Sequence, residues 1–371
     1  MRRFAANSGL TIVSFGVAVL LAELILRVAY PQHLGVWYSL RNGLVIHPPS
    51  TRIHLSPFRQ DVAFNAMGMR DVEHAVAKAP GMVRVLVLGD SFMEGLQLRL
   101  EDSFPRLLEQ RLSAMTGQKV EVINAAVSGW GTDQQLQYLM EYGLALKPDL
   151  VLIAMTLHND VADNLREQFH VLKGDQVVAR PPFEIPASDF RLLKVKDYLA
   201  SHSHLTQLVR KYKHLGEVRV AARQLDDHVS QLLRKEEPAQ IEKGWRLTTR
   251  LIGEMRRQAE TVGARTAVFL IPLSVQVDED MLRQWLADHE LERSSIALEK
   301  PQATMERVGR LTRVDVIDLL GAFREWHRRE GKSLHLVGEG HWNVDGHRLA
   351  TAVVAEELTK RGLLGRQRAG R

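Results

Sequence analysis

Five short apolar runs recur along the chain, and their spacing limits the fold more than any other feature of the sequence. They are Val83–Leu88, Lys119–Ile123, Asp149–Met155, Arg265–Ile271 and Val314–Leu319. Each has an apolar, β-branched centre, which is how a strand covered on both faces reads. Between them the apolar residues fall at helical spacing. Phe104, Leu107, Leu108, Leu112 and Met115 form one stripe, and Leu136, Leu139, Met140, Tyr142 and Leu144 a second. Thr248, Leu251, Ile252 and Met255 begin a third, and Leu349 to Leu358 belongs to a C-terminal helix. Strand and helix alternating in this way predict one parallel sheet with helices on both faces.

The N-terminus follows a different rule. From Gly9 to Tyr30 the chain is apolar apart from small polar residues, Glu23 and Arg27. As a helix this run rises roughly 33 Å at about 1.5 Å per residue, enough to cross a hydrocarbon core. Arg2 and Arg3 precede it, so the positive-inside rule keeps the N-terminus cytoplasmic and puts everything after Tyr30 outside the inner membrane, in the periplasm. A cleavable signal peptide is the rival reading. No small-x-small cleavage site follows the run and it is long for a signal core, which favours an uncleaved single-pass anchor.

The chain of 371 residues divides on this basis into an anchor (1–30), a proline-bearing linker and lead-in (31–80), a catalytic domain (81–363) and a basic tail (364–371). Residues 164–243 interrupt the strand–helix rhythm as an insertion, proline-bearing early and helical later, expected to cover or rim the active-site edge. Asn65–Asp71 has turn formers at both ends and reads as structural, with a polar contact expected between Arg70 and Asp71. The net charge of +5 rests partly on the tail, and no basic cluster is interleaved with aromatics, so nucleic acid is not an expected partner. The absence of cysteine excludes disulfides, thiol catalysis and cysteine-ligated metals.

The chemistry-bearing residues follow the strand runs. Gly89-Asp90-Ser91 ends the first. Ser and Asp are preferred helix caps, so capping alone accounts for that pair. A serine at the carboxyl end of a buried parallel strand also stands where open α/β sheets place their chemistry. After the second run comes Ser128-Gly129-Trp130-Gly131, whose backbone N–H groups could face an anion. His158-Asn159-Asp160 follows the third, and Glu339-Gly340-His341-Trp342-Asn343 precedes the last helix. One nucleophile candidate, two oxyanion-donor candidates and one base candidate are the parts acyl transfer needs. His158 and His347 read as structural, and Trp130 and Trp342 read equally well as packing residues or substrate platforms. His335, His341, His347 and Glu339 hold no pair at the H-E-x-x-H spacing of a helical zinc site, so no metal is expected.

Four blocks in this order resemble the SGNH (GDSL-type) hydrolases, and the N-terminal helix resembles that of membrane-anchored bacterial members. The resemblance implies a flavodoxin-like α/β/α sandwich and no cofactor. It implies Ser91 as nucleophile, His341 as general base, and an oxyanion hole from the N–H of Ser91, the N–H of Gly129 and the side-chain amide of Asn159. Glu339 stands where the family usually has Asp and would be the acid of the triad. An extracytoplasmic serine esterase removing acyl groups, acetyl among them, from a glycan or lipid is the function implied. The alternatives are an O-acyltransferase of cell-surface polysaccharide and a non-catalytic glycan-binding or assembly component. In alginate-acetylating proteins of related fold the Asp-x-His motif precedes the serine. Here the histidine block follows it, which favours the hydrolase.

Overall fold

The computed structural model describes residues 2–364 except 33, 36, 56, 57, 59, 175, 181–183 and 337–339, and the side chains of residues 2–9 and 214–227 also lie outside the description. All five expected runs form strands: β1 (Met82–Gly89), β2 (Lys119–Ala126), β3 (Leu150–Thr156), β4 (Arg265–Ile271) and β5 (Asp315–Asp318). They pair side by side in the order β5-β4-β3-β1-β2, every pair parallel. The chain therefore leaves β1 toward β2 on one side and returns to β3 on the other. That reversal is the switch point where open α/β sheets bind ligands beyond the carboxyl ends of their strands.

Alternate residues of each strand feed two separate cores. Leu86, Leu88, Val151, Ile153, Val268 and Leu270 pack with the helix Ala239–Glu260 on one face. Val85, Val87, Leu150, Leu152, Ala267 and Phe269 pack with the helices Phe104–Thr116 and Val344–Lys360 on the other. Burying side chains of this size contributes roughly 1.5–3 kcal/mol each, and a strand loaded on both faces fixes its register firmly. The result is a three-layer α/β/α sandwich.

One helical stripe departs from its expectation. Leu136 to Leu144 is not a single α-helix: Thr132–Tyr138 is α-helical, Leu139–Gly143 is a π turn and Leu144–Leu146 a 3-10 turn. The change of pitch turns Met140 and Tyr142 to the surface. It also brings Gly143 against Leu86, where an added Cβ would stand 2.9 Å from Leu86 Cδ2.

Residues 37–80 pack onto the catalytic edge. Two short hairpins, Tyr38–Ser39 with Val45–Ile46 and Thr51–Leu55 with Gln60–Phe64, precede β1, and Leu44, Ile46 and Met69 join the main core. Arg70 and Asp71 do not pair with each other. Arg70 donates to the carbonyls of Glu94, Gly95 and Leu98, while Asp71 pairs with His74 at 2.9 Å and Arg106 at 3.2 Å. A guanidinium carries five donors in a fixed fork, and three converging carbonyls satisfy it better than one neighbouring carboxylate.

The segment 164–243 contains a hairpin, His170–Lys173 with Gln176–Ala179, and the helices Ala187–His202 and His204–Leu233. An apolar helix, Arg2–Ala29, precedes everything else. Its stretch Leu10–Ala29 has a mean hydropathy of 2.2 and none of it is buried, so it is long and apolar enough to cross a membrane, as a signal sequence near an N-terminus also would be.

Candidate active site

β1 ends at Gly89, and the reason is steric. A Cβ there would meet Met93 Cγ at 2.7 Å and Ala154 Cβ at 3.2 Å, so only glycine lets the chain turn this tightly against β3. Asp90 then caps the one-turn helix Ser91–Glu94, its carboxylate accepting from Phe92 N at 3.0 Å. The helix cap is therefore Asp90 and not Ser91, the cap that the sequence alone suggests. Ser91 becomes the first residue of the helix, half-buried, with its hydroxyl at the strand edge.

Ser91 Oγ lies 2.8 Å from His341 Nε2. The histidine sits on the loop before the helix Val344–Lys360, and the backbone pins that loop on both sides. His335 bridges Trp342, Leu336 N donates to His341 O at 2.7 Å, and Asn343 N donates to Leu334 O at 2.9 Å. Phe92 packs against the imidazole with ring centroids 4.9 Å apart. Burial pushes the His341 pKa below its ordinary value, and the neighbouring His158 adds to the depression. The imidazole is therefore neutral at ambient pH and able to accept a proton at Nε2. Glu339, the expected acid partner, lies outside the described residues.

The other expected site residues follow β2 and β3 at the same edge. Gly129 has φ +81, the left-handed region where glycine carries no steric penalty, and open space where a Cβ would stand. Among the described residues, neither the N–H of Ser91 nor that of Gly129 donates to a protein acceptor. Asn159 Nδ2 donates to Asp163 Oδ2 at 3.0 Å, which fixes which end of the amide is the donor, and the same side chain also hydrogen-bonds Asp90. Asp160 accepts from Thr156 N at 2.8 Å and closes the turn after β3.

Sequence reasoning missed a buried layer beneath these groups. Glu94 is fully buried, accepts from Ser128 N at 3.0 Å, and pairs with Ser128 Oγ and His47 Nε2. His47 is stacked on Phe64 with centroids 4.0 Å apart. Burial raises the Glu94 pKa, but the His47 ring and the Ser128 hydroxyl and N–H outweigh it and hold the carboxyl below its ordinary range. Arg70 secures the carboxyl end of the helix Ser91–Glu94, and burial lowers its pKa to about 10. Asn124 joins the layers, donating to Arg70 O at 3.2 Å and Met93 O at 3.0 Å while its N–H donates to Asp71 at 2.7 Å. The available signal was Glu94 itself, an acid inside the otherwise apolar turn Phe92-Met93-Glu94.

Trp342 is fully buried between Phe92 and Phe323, and Trp130 is buried with its indole N–H donating to Val45 O at 3.0 Å. Trp342 is a packing residue, whereas Trp130 packs and also lines the cavity beside the glycine block. His347 is buried, accepts from Phe104 N at 3.1 Å, and has its pKa lowered by burial to about 3, so it stays neutral and structural. A cavity of about 240 Å³ adjoins the glycine block, lined among others by Trp37, Leu44, Ser128, Gly129, Arg166 and Gln168. A larger one, about 940 Å³, lies around the helices Ala239–Glu260 and Lys300–Thr312 and includes none of the four expected site residues. Of the expected site residues the smaller cavity includes Gly129 alone.

A doubly wound parallel sheet with a serine and a histidine in contact at its switch point defines an α/β enzyme of the acyl-transfer type. The family model of the GDSL-like lipase/acylhydrolases matches residues 87–349, and the chain belongs to that family, whose reaction is hydrolysis of ester bonds. A curated arylesterase of Vibrio mimicus is 43% identical over 72 residues, a match spanning 36% of that relative's length and 19% of this chain. Among solved structures, the esterase EstA of Pseudoalteromonas sp. is 15% identical over 75% of this chain and 97% of its own, with a TM-score of 0.39. The acetyl xylan esterase AlAXEase is 12% identical over 74% of this chain and 100% of its own, with a TM-score of 0.41. Likenesses this distant carry no argument about substrate.

Proposed function

We propose that the protein is an extracytoplasmic serine esterase, held in the inner membrane by residues 1–30, whose domain 81–363 removes acyl groups such as acetyl from a glycan or lipid. The observation that carries this reading is the 2.8 Å contact between Ser91 Oγ and His341 Nε2. Ser91 donates its proton to His341 as Oγ attacks the ester carbonyl. The developing oxyanion receives hydrogen bonds from the N–H groups of Ser91 and Gly129 and from Asn159 Nδ2. His341 then protonates the leaving alcohol, and water enters by the reverse sequence to release the acid. Glu339 is the acid that steadies the imidazolium. Asp163 is a positioning residue, because it orients the Asn159 amide.

The location reading is supported by the span Leu10–Ala29 and by Arg2 and Arg3 before it. Trp37, which lines the cavity beside Gly129, stands eight residues after the span ends. The test is hydrolysis of acetylated sugars and short p-nitrophenyl esters by the full chain. Ser91→Ala should lower turnover by about 10⁴ to 10⁶, the loss usual when a catalytic unit is broken. Partition of a labelled acyl group to water supports the esterase, and transfer mainly to an added glycan replaces it with the acyltransferase. A folded wild type that turns over no ester and takes no label from a serine-directed phosphonate rejects both.

A further inference from the structure

The apolar helix Leu10–Ala29 carries two charged residues, Glu23 and Arg27, and both are engaged by the chain nearly two hundred residues later. The Glu23 carboxylate accepts from the backbone N–H groups of His204 at 3.0 Å and Leu205 at 2.9 Å, and from Ser203 Oγ at 2.9 Å. It thereby caps the helix His204–Leu233. Arg27 donates to Glu23 Oε1 at 2.9 Å and to His202 O at 2.6 Å. The apex between the helices Ala187–His202 and His204–Leu233 is thus fastened to the side of the anchor. Glu23 lies six residues before the end of the span, about 9 Å along the axis at about 1.5 Å per residue. An apex held at that depth keeps the adjoining turns of both helices at the bilayer boundary.

Those turns carry the surface such a position requires. Leu192, Val195 and Leu199 share one face of the first helix at i, i+3, i+7 spacing, with Tyr198 beside them, and Val209 and Tyr212 share a face of the second. All six are between 42% and 65% exposed, and no other described stretch of this length after the anchor exposes as many large apolar residues. Arg191, Lys196, Arg210 and Lys213 are exposed on the same turns and form no ion pair among the described residues. Apolar and aromatic side chains rimmed by unpaired cations are the pattern of a helix lying in the headgroup layer of an anionic membrane.

We propose that residues 187–213, the helix Ala187–His202 and the first turns of His204–Leu233, lie in the interface of the outer leaflet of the membrane that holds the anchor, and so fix how the catalytic domain stands on it. The inference rests on reading Leu10–Ala29 as an uncleaved span. The chain has no cysteine, so single cysteines can be placed at will. Full-length Leu20→Cys, Val195→Cys, Leu199→Cys and Leu311→Cys are each labelled with a fluorophore in vesicles of phosphatidylethanolamine and phosphatidylglycerol. Quenching is then read with nitroxides borne on lipids near the headgroup or deep in the tails. Leu311, 69% exposed on Lys300–Thr312, is the aqueous reference. The expected result is deep quenching at Leu20, and shallow quenching at Val195 and Leu199 at least about twofold above Leu311, as interfacial burial predicts. Labels at 195 and 199 that behave like Leu311 while Leu20 is quenched overturn the inference and leave the anchor standing. The same result with labels at 195 and 199 quenching each other's copies shows a protein partner on this face instead, and also overturns it. A Leu20 label in water overturns both readings.

Discussion

Glu94, three residues after Ser91, holds Ser128, the residue before Gly129: the carboxylate accepts from Ser128 N at 3.0 Å and pairs with its hydroxyl. The turn that presents the hydroxyl of Ser91 and the loop that presents the N–H of Gly129 are thereby joined through one buried side chain. His47 closes the arrangement from the hairpin region, so three segments far apart in sequence share a single polar junction.

Glu94→Gln tests this junction. The amide keeps one acceptor and loses the charge that His47 and Ser128 share, so the glycine loop should loosen without unfolding the domain. Turnover of a short p-nitrophenyl ester should fall about 10- to 100-fold, less than the loss usual for deleting an oxyanion donor outright, with KM little changed. Unchanged kcat in a folded variant would show that the junction is structural only.

Activity against pH is the second test. As the proposed general base, His341 must be neutral, and its pKa is lowered by burial and then by His158. Activity should therefore persist below the ordinary histidine range and be lost as pH falls through the depressed value. His158→Gln removes the second cause, so the His341 pKa should rise and the acid limb of kcat/KM should move to higher pH. A limb that stays put or moves down contradicts the assignment of His341 as base.

What could be read from the sequence follows from how far each interaction reaches along the chain. β1 to β5 were legible because strands covered on both faces need continuous apolar residues, and the placing of the candidates Ser91, Gly129, Asn159 and His341 at the sheet edge was legible because each stands just past a strand or before a helix. Glu94, His47 and Arg70 were not legible, because their partners are set by packing. A glutamate in a short turn reads as solvated until His47, 47 positions earlier, is stacked beside it. Trp342 was ambiguous for a similar reason, since its burial depends on Phe92 and Phe323, which meet only in the folded sheet. The contact of Glu23 with residues 203–205 lay wholly beyond local pattern.

Beneath the site, Asp90 and Asp160 are both fully buried and lie close enough to repel each other. Burial raises the Asp90 pKa to about 6, and burial followed by the Asp90 charge raises Asp160 well above the ordinary value. A carboxyl whose folded pKa exceeds its unfolded value stabilises the fold fully below the unfolded pKa and loses that contribution as pH rises through the folded one. Thermal stability should therefore decline from about pH 4 through about pH 6 and beyond. Asp160→Asn removes one charge while keeping an acceptor for Thr156 N, so it should raise Tm at neutral pH and flatten the decline. A Tm lowered equally at pH 4 and pH 8 would count against the buried pair as the cause.

Gly89→Ala probes the turn that carries Ser91, the proposed nucleophile. The new methyl would stand 2.7 Å from Met93 Cγ and 3.2 Å from Ala154 Cβ, the first well inside van der Waals contact. Met93 is fully buried and β3 is fixed by pairing on both sides, so neither neighbour moves freely. Overpacking of this kind costs about 1–3 kcal/mol, and the relaxation that relieves it shifts Ser91, two residues on. Met93→Ala alone leaves a cavity and costs about 2–5 kcal/mol. In the double variant the added methyl enters the space the methionine vacates. Its loss of stability, measured by denaturant titration, should therefore be smaller than the sum of the single losses by about 1 kcal/mol or more, the coupling expected of residues in direct contact. Turnover should recover partly as well, because the clash that displaces Ser91 is gone. Strict additivity of the two losses would mean that Met93 does not set the requirement for glycine.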